Sequence, residues 1–276
     1  MRTRDRLVAA SVVDAALEAE VLLRHAMGVG RAEFFAALGD PVPGIQQEGA
    51  DRLVERRATG EPLAYIVGSR EFYGLDFLVN SNVLVPRQET ELLVDQLLEF
   101  YASRPAATAP VVADVGTGSG AIAVAIAVNL PGATVYATDS SRGALDVADA
   151  NSRRHQVSNR VRLVHGDLLD ALPGSVDAIV SNPPYLTTTE LDGLEPELRR
   201  EPATALDGGA DGLHVLGRLI RRAPEYIRRG GLIAVEIAPG QLGDVMQMAR
   251  ARFPGANVVY AKDLLGLPRV VAVTVH

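Results

Sequence analysis

Val111-Val112-Ala113-Asp114-Val115-Gly116-Thr117-Gly118-Ser119-Gly120 decides the fold class of this chain. Its first half is a short apolar, mostly β-branched run, which predicts a buried strand. Its second half places glycine at every other position and leads into an apolar stretch, Ser119 to Leu130, that predicts a helix. Working outward, strand and helix patterns alternate. Strands are predicted over Thr134 to Thr138, Val161 to Val164, Asp177 to Ser181, Leu232 to Ile237, Val258 to Ala261 and Val270 to Val275. Helices are predicted over Ser141 to Arg154, Leu213 to Arg228 and Gln241 to Phe253. Such alternation builds an α/β domain whose mostly parallel sheet is covered on both faces. Ligands of such sheets bind at the carboxyl ends of the strands, near the topological switch point.

The glycine loop lies at one of those strand ends. Glycines tolerate positive φ and let the backbone approach a ligand closely, and the helix that follows offers unpaired N–H groups to an anionic group. The spacing is G-x-G-x-G rather than G-x-G-x-x-G, and no lysine follows, which disfavours a dinucleotide or a triphosphate. The next strand ends at Asp139, where a carboxylate can hold ribose hydroxyls. Asp139-Ser140-Ser141 would equally cap the next helix. The third strand leads to Gly166-Asp167-Leu168, a wall for an adenine ring or a plain turn. An adenine, a ribose and an amino-acid tail together describe S-adenosyl-L-methionine. The cofactor-binding residues expected are Gly116, Thr117, Gly118, Ser119, Gly120, Asp139, Asp167, Leu168 and Asn182.

Asn182-Pro183-Pro184-Tyr185 follows the strand Asp177 to Ser181. Each proline fixes φ and removes a backbone donor, and the residue before each is pushed toward extended geometry. The outcome is a stiff turn rich in acceptors beside an aromatic ring. An amide or exocyclic amine nitrogen is a poor nucleophile because its lone pair is delocalised. Acceptors placed on its two hydrogens, the Asn182 side-chain oxygen and the Pro183 carbonyl, would turn the lone pair toward a methyl donor. Asn182, Pro183, Pro184 and Tyr185 are therefore the expected catalytic residues, with no dedicated general base.

Composition bounds the alternatives. The chain has 276 residues, 47% of them hydrophobic, and a net charge of -7, which argues against affinity built on nucleic-acid phosphates. Cysteine is absent, excluding a disulfide framework, a thiol nucleophile or a Cys-ligated metal. The five histidines are scattered without ligand spacing, so no metal is expected. No signal peptide or apolar span long enough for a membrane is visible, and a cytoplasmic protein is expected.

Residues 5–58 read as helical, with Val12, Val13, Ala16, Leu17, Val21, Leu22 and Leu23 at helical spacing, then Arg31 to Leu38, then Gln47 to Ala58. The organisation expected is a helical bundle over 1–62, a β-hairpin linker over 63–86 that includes Tyr65-Ile66-Val67, and an α/β domain over 87–276. Pro86 is expected to open a helix that runs to about Tyr101.

These motifs together resemble the HemK/PrmC family of bacterial release-factor glutamine methyltransferases. The resemblance spans Glu18 to His25, Glu61 to Gly68, Glu71 to Gly74, Val85-Pro86-Arg87-Gln88-Glu89-Thr90-Glu91, the glycine loop, Ser181 to Tyr185, and Glu201 to Gly209 with Asp211 to Leu213. It implies a seven-stranded, Rossmann-like SAM-dependent methyltransferase sheet with a small N-terminal helical domain that helps dock a protein substrate. It implies methylation of the glutamine N5 in the Gly-Gly-Gln tripeptide of class 1 peptide-chain release factors. Two departures stand out: Gln88 where the family carries proline, and Glu236-Ile237-Ala238-Pro239-Gly240-Gln241 at a strand end. A ribosomal-protein glutamine or an exocyclic amine of adenine or guanine would satisfy the same chemistry.

Several charged residues stand outside this assignment. Arg87, Glu89 and Glu91 either line the site or start a helix with favourable acids. Glu236 reads as structural. Arg228 and Arg229 read as dipole compensation at a helix C-terminus. No exposed apolar helix face is expected, hence a monomer without direct nucleic-acid or membrane binding.

Overall fold

A computed structural model describes residues 2–41, 43–104 and 109–276. The chain divides into two compact units, residues 1–69 with 194–200, and residues 70–193 with 201–276.

The first unit carries helices α1 (Arg2–Ala9), α2 (Ala15–Met27), α3 (Arg31–Ala36), α4 (Gly44–Ala58) and α5 (Leu63–Val67). Its core joins Leu7, Ala15, Ala19, Leu22, Val54 and Ile66. The apolar face expected for α2 is thus out of phase. Ala15, Ala19 and Leu22 share the buried stripe, because alanines let helices approach, whereas Val13 is 96% exposed and Leu17 54%. A turn with Ser11 at φ 60° breaks the run into two helices. Tyr65-Ile66-Val67, expected in a hairpin, is the body of α5. Pro62 pre-sets its first turn, and Gly68 closes it at φ 79°, donating to the Ala64 carbonyl at 2.8 Å. Val8 of α1, Phe35 of α3 and Ile45 of α4 are also exposed, as is Leu38 in the turn after α3.

The second unit opens with a two-stranded sheet of β1 (Ser69–Phe72) and β2 (Leu75–Leu78). Tyr73 (φ 53°) and Gly74 (φ 72°) form its two-residue turn, both in the left-handed geometry that matches strand twist. Residues after Pro86 stay extended before a single 3-10 turn, Gln88–Thr90, and α6 starts only at Glu91 and ends at Ala102. The elements that follow are β3 (Val111–Val115), α7 (Ala121–Asn129), β4 (Thr134–Asp139), α8 (Arg142–Arg154), β5 (Val161–His165) and β6 (Val176–Ser181). They continue as α9 (Thr188–Asp192), α10 (His214–Arg222), β7 (Ile227–Glu236), α11 (Leu242–Arg252), β8 (Asn257–Lys262) and β9 (Pro268–Thr274).

The seven strands order as β5-β4-β3-β6-β7-β9-β8. All pairs from β5 to β7 are parallel, and β9 runs antiparallel to both its neighbours. Successive side chains alternate between the two faces. Val112, Val135, Ala178, Val180, Leu232 and Ala234 pack under α6 and α7. Ala113, Ile179, Ile233, Val235 and Val271 pack under α10 and α11. The sheet order reverses at β3, between β4 and β6, so the carboxyl ends of these strands form the switch-point crevice.

A second element, besides α5, differs from its prediction in kind. The helix expected to reach Arg228 stops at Arg222, and the chain has entered β7 by Ile227. Arg228 therefore compensates no helix dipole; its guanidinium pairs with Asp177 at 2.8 Å. Among the described residues, no helix is long and apolar enough to cross a membrane, and no His, Asp or Glu cluster could hold a metal ion.

Candidate active site

The carboxyl ends of β3, β4 and β6 open onto a cleft of about 300 Å³. Gly116, Thr117, Gly118 and Ser119 line it from β3, Asp139 from β4, and Asn182 and Pro184 from β6. Gly166, Asp167 and Leu168, after β5, close one wall. Gly116 (φ 74°) and Gly118 (φ 55°) need the left-handed conformation, and a Cβ on either would project into open space. Gly120 does not reach the cleft. Its Cβ would stand 3.0 Å from that of Ala148, so it serves the close packing of α7 on α8.

Two carboxylates hold the glycine loop. Asp114 Oδ2 accepts from Thr117 Oγ1 at 2.6 Å and from the Ala123 amide at 3.1 Å. Asp139 Oδ2 accepts from the Gly118 amide at 2.9 Å. Asp114 is fully buried, and burial pushes its carboxyl up to about 7 against the pull of those two donors. Asp139-Ser140-Ser141 does the capping expected of it at the rim of the cleft. Asp139 Oδ1 accepts from the Ser141 amide, Ser141 Oγ caps α8 through the Ala144 amide, and all three residues line the cleft. Leu168 adopts φ 50°, rare for a branched side chain, and Thr138 Oγ1 donates to its carbonyl at 3.1 Å. Asp167 pairs with Arg218 of α10, a cleft residue without any local sequence signal.

Pro183 is buried and, like Tyr185, does not line this cleft. The stretch after Tyr185 is held in place by the segment Leu206 to Gly212. Leu186 donates to the Leu206 carbonyl at 3.0 Å, Gly208 donates to the Leu186 carbonyl at 2.8 Å, and Thr188 donates to that of Gly209 at 3.1 Å. Gln241 Nε2 donates to the carbonyls of Tyr185 (3.2 Å) and Gly212 (3.0 Å). The strand-end segment that departs from the family pattern thus supplies a clamp on the turn. Burial pushes the Tyr185 phenol up to about 12, with Glu236 adding to the effect and Arg269 and Arg87 opposing it.

Arg87 lines the cleft and donates to Glu201 at 2.5 Å, while the other oxygen of Glu201 accepts from the Val85 amide at 3.1 Å. Glu91 turns away to accept from the Tyr73 amide at 2.7 Å, bracing the hairpin turn. Thr90 was not among the expected site residues. Its hydroxyl lies 3.0 Å from the Asn182 amide nitrogen and 2.6 Å from Glu236. The only sequence signal for it was its place in the Arg87-Gln88-Glu89-Thr90-Glu91 segment. Asn151, fully buried on α8, was missed with no signal; it ties the Ser119 carbonyl to β2.

Residues 1–68 match the family model described as PrmC N-terminal domain, and residues 88–210 match that described as Methyltransferase small domain. A release factor glutamine methyltransferase from Geobacter sulfurreducens is 42% identical over 272 residues, 98% of this chain and 93% of the relative. One from Moorella thermoacetica is 44% identical over 265 residues, 96% and 93% of the two chains. The chain belongs to the release factor glutamine methyltransferase family. As a member of that family it is a methyltransferase, and its sheet has the family's class of fold. The N-terminal domain of human METTL16 in complex with SAH superposes with TM-score 0.54 at 18% identity, covering 81% of this chain and 82% of that one. The ribosomal protein L11 methylase of Lactobacillus delbrueckii subsp. bulgaricus superposes with TM-score 0.51 at 21% identity, covering 72% and 84%. At these identities the two structures speak for the fold.

Proposed function

We propose that this chain transfers the methyl group of S-adenosylmethionine to the side-chain amide nitrogen, N5, of the glutamine in the Gly-Gly-Gln tripeptide of class 1 peptide-chain release factors. The observation that carries this is Asn182-Pro183-Pro184-Tyr185 at the end of β6, with Asn182 and Pro184 facing the glycine-lined cleft. Relatives named for this activity match over nearly the whole chain.

The cleft fits the cofactor. Gly116 and Gly118 hold the left-handed turn that lines the cleft with backbone, Asp139 offers a carboxylate to ribose hydroxyls, and Leu168 offers an apolar wall to adenine. When bound, S-adenosylmethionine supplies a methyl group open to in-line displacement. The task left to the protein is orientation of a weak nucleophile. Asn182 Oδ1, at the cleft, accepts a hydrogen bond from one N–H of the glutamine amide, and the main-chain carbonyl of Pro183, between the cleft-lining Asn182 and Pro184, accepts one from the other. Tyr185, whose phenol stays protonated, packs on the planar group and takes no proton; the nitrogen releases one proton to water after it has taken the methyl group. Ordering of this kind supplies several kcal/mol of barrier reduction without a base. The exposed apolar side chains of the helical unit, Val13 and Phe35 among them, are available to a protein substrate. On this reading the enzyme is a cytoplasmic monomer with no direct hold on nucleic acid.

Mass spectrometry of a purified class 1 release factor, after incubation with the protein and S-adenosylmethionine, tests the assignment. One added methyl on the Gly-Gly-Gln glutamine is expected, with at least a 100-fold lower rate in Asn182→Ala. An unmodified release factor, with a methylated ribosomal protein or nucleic acid in the same assay, would overturn the substrate.

A further inference from the structure

Glu236 reads in the sequence as a structural charge at a strand end. The structure places it in a chain of hydrogen bonds that ends on the Asn182 amide. Glu236 is 1% exposed, and its Oε2 accepts from Thr90 Oγ1 at 2.6 Å. The same Thr90 oxygen lies 3.0 Å from Asn182 Nδ2. Thr90 is itself buried, on the 3-10 turn that precedes α6.

The direction of this chain follows from proton counting. A hydroxyl has one proton to give, and an ionised carboxylate only accepts. The Thr90 proton is therefore committed to Glu236, and the Thr90 oxygen can act only as an acceptor toward Asn182. That draws the NH₂ end of the Asn182 amide to Thr90 and leaves its carbonyl end for the cleft. An asparagine without such a constraint can present either end, and the wrong end would offer a donor to a substrate amide that needs an acceptor. We propose that Glu236, acting through Thr90, is a positioning residue that fixes which end of the Asn182 amide faces the substrate. The proposal rests on the reading of Asn182 as acceptor for the substrate amide.

The relay has a built-in pH dependence. Arg269 of β9 and Arg87 face Glu236 and favour its ionised form, Glu89 disfavours it, and the Tyr185 phenol lies in the same group. Burial outweighs these influences and pushes Glu236 up to about 7. Once protonated, Glu236 can donate to Thr90, which frees the threonine proton for Asn182. The amide then gains by rotating its carbonyl toward Thr90, and the acceptor leaves the cleft. Activity should fall as pH drops through about 7.

The test uses the full chain, a purified release factor and S-adenosylmethionine. Thr90→Val keeps the shape and removes the hydroxyl; kcat is expected to fall about 30- to 100-fold. Its affinity for S-adenosylhomocysteine should fall far less than kcat, since Thr90 and Asn182 are two of many residues that line the cofactor cleft. Thr90→Ser restores the hydroxyl and should recover kcat to within about 3-fold. Glu236→Gln should flatten the pH profile of kcat between 6 and 8 in addition to lowering it; if that variant does not fold, the Thr90 pair carries the test. Wild-type kcat in Thr90→Val, or an equal loss in Thr90→Ser, would overturn the relay. Full activity in Asn182→Ala would instead remove the substrate reading on which it stands, so the two failures are distinguishable.

Discussion

Asp114 closes β3 with one oxygen holding the glycine loop and the other, Oδ1, without a hydrogen-bond partner among the described residues. Its carboxyl is pushed from an ordinary 3.8 up to about 7. Between these values the folded chain keeps a proton that the unfolded chain has released, so stability from this group falls as pH rises through the window. Asn at this position keeps an acceptor for Thr117 and Ala123 and never ionises. Asp114→Asn should therefore gain on the wild type by about 4 kcal/mol between pH 4 and pH 8. Urea denaturation of both proteins across that range checks this; a constant difference would mean that Asp114 titrates normally. The sequence marked Asp114 as the first residue of the loop motif, but its orphaned oxygen and missing water access are consequences of burial that no motif displays. The same holds at Glu236, read as structural because the partner that gives it a role, Thr90, lies far away in the chain.

Among the elements, the segment between α9 and α10 was legible only as a family signature, Ala205-Leu206-Asp207-Gly208-Gly209. Its work lies in tertiary contact: it runs along Leu186 to Thr188 through an isolated parallel bridge, Leu186 to Asp207, and the backbone hydrogen bonds beside it. Gly212 shows how tight that arrangement is. It sits at φ 71°, and a Cβ there would fall 2.4 Å from the Tyr185 carbonyl and 2.8 Å from Gln241 Nε2. Gly212→Ala should cost about 2 kcal/mol of stability and lower kcat about 10-fold or more by shifting the Asn-Pro-Pro-Tyr turn. Affinity for S-adenosylhomocysteine should hold, because the glycine loop is untouched. Thermal denaturation, calorimetric binding and turnover measured together decide it, and unchanged kcat would show that the turn does not depend on this support. The regular strands were far easier to read. The inner strands β3 and β6 are short, mostly apolar runs buried on both faces, a pattern that needs no partner to be recognised, whereas the edge strands β5 and β8 are partly exposed.

At the scale of the whole molecule, Leu194–Arg200 leaves the company of its chain neighbours and belongs to the helical unit. Arg57 of α4 holds it there, donating to Glu197 at 2.7 Å and to Glu18 of α2 at 2.5 Å. Pro196 covers Gly60, where a Cβ would come within 2.9 Å. The Arg57 side chain is 8% exposed, so its loss strands Glu18 with little water to replace the charge. Arg57→Met should cost about 2 kcal/mol, less than a fully buried pair because Glu197 is 41% exposed. Amide hydrogen exchange in residues 194–200 should speed up at least 10-fold while exchange in β3 and β6 stays the same. Unchanged exchange in that segment would show that Arg57 does not anchor it. By itself the sequence determined the strand–helix alternation, the glycine loop, the acceptor-rich turn and the family, because these depend on local periodicity and on residues close together in the chain. Only the tertiary structure decided that Glu236 and Thr90 meet at Asn182, that Gln241 and Gly212 brace Tyr185, and that Arg57 reaches Glu197. Each of these joins residues far apart in sequence, and the burial that gives their charges and hydrogen bonds weight exists only once the chain has folded.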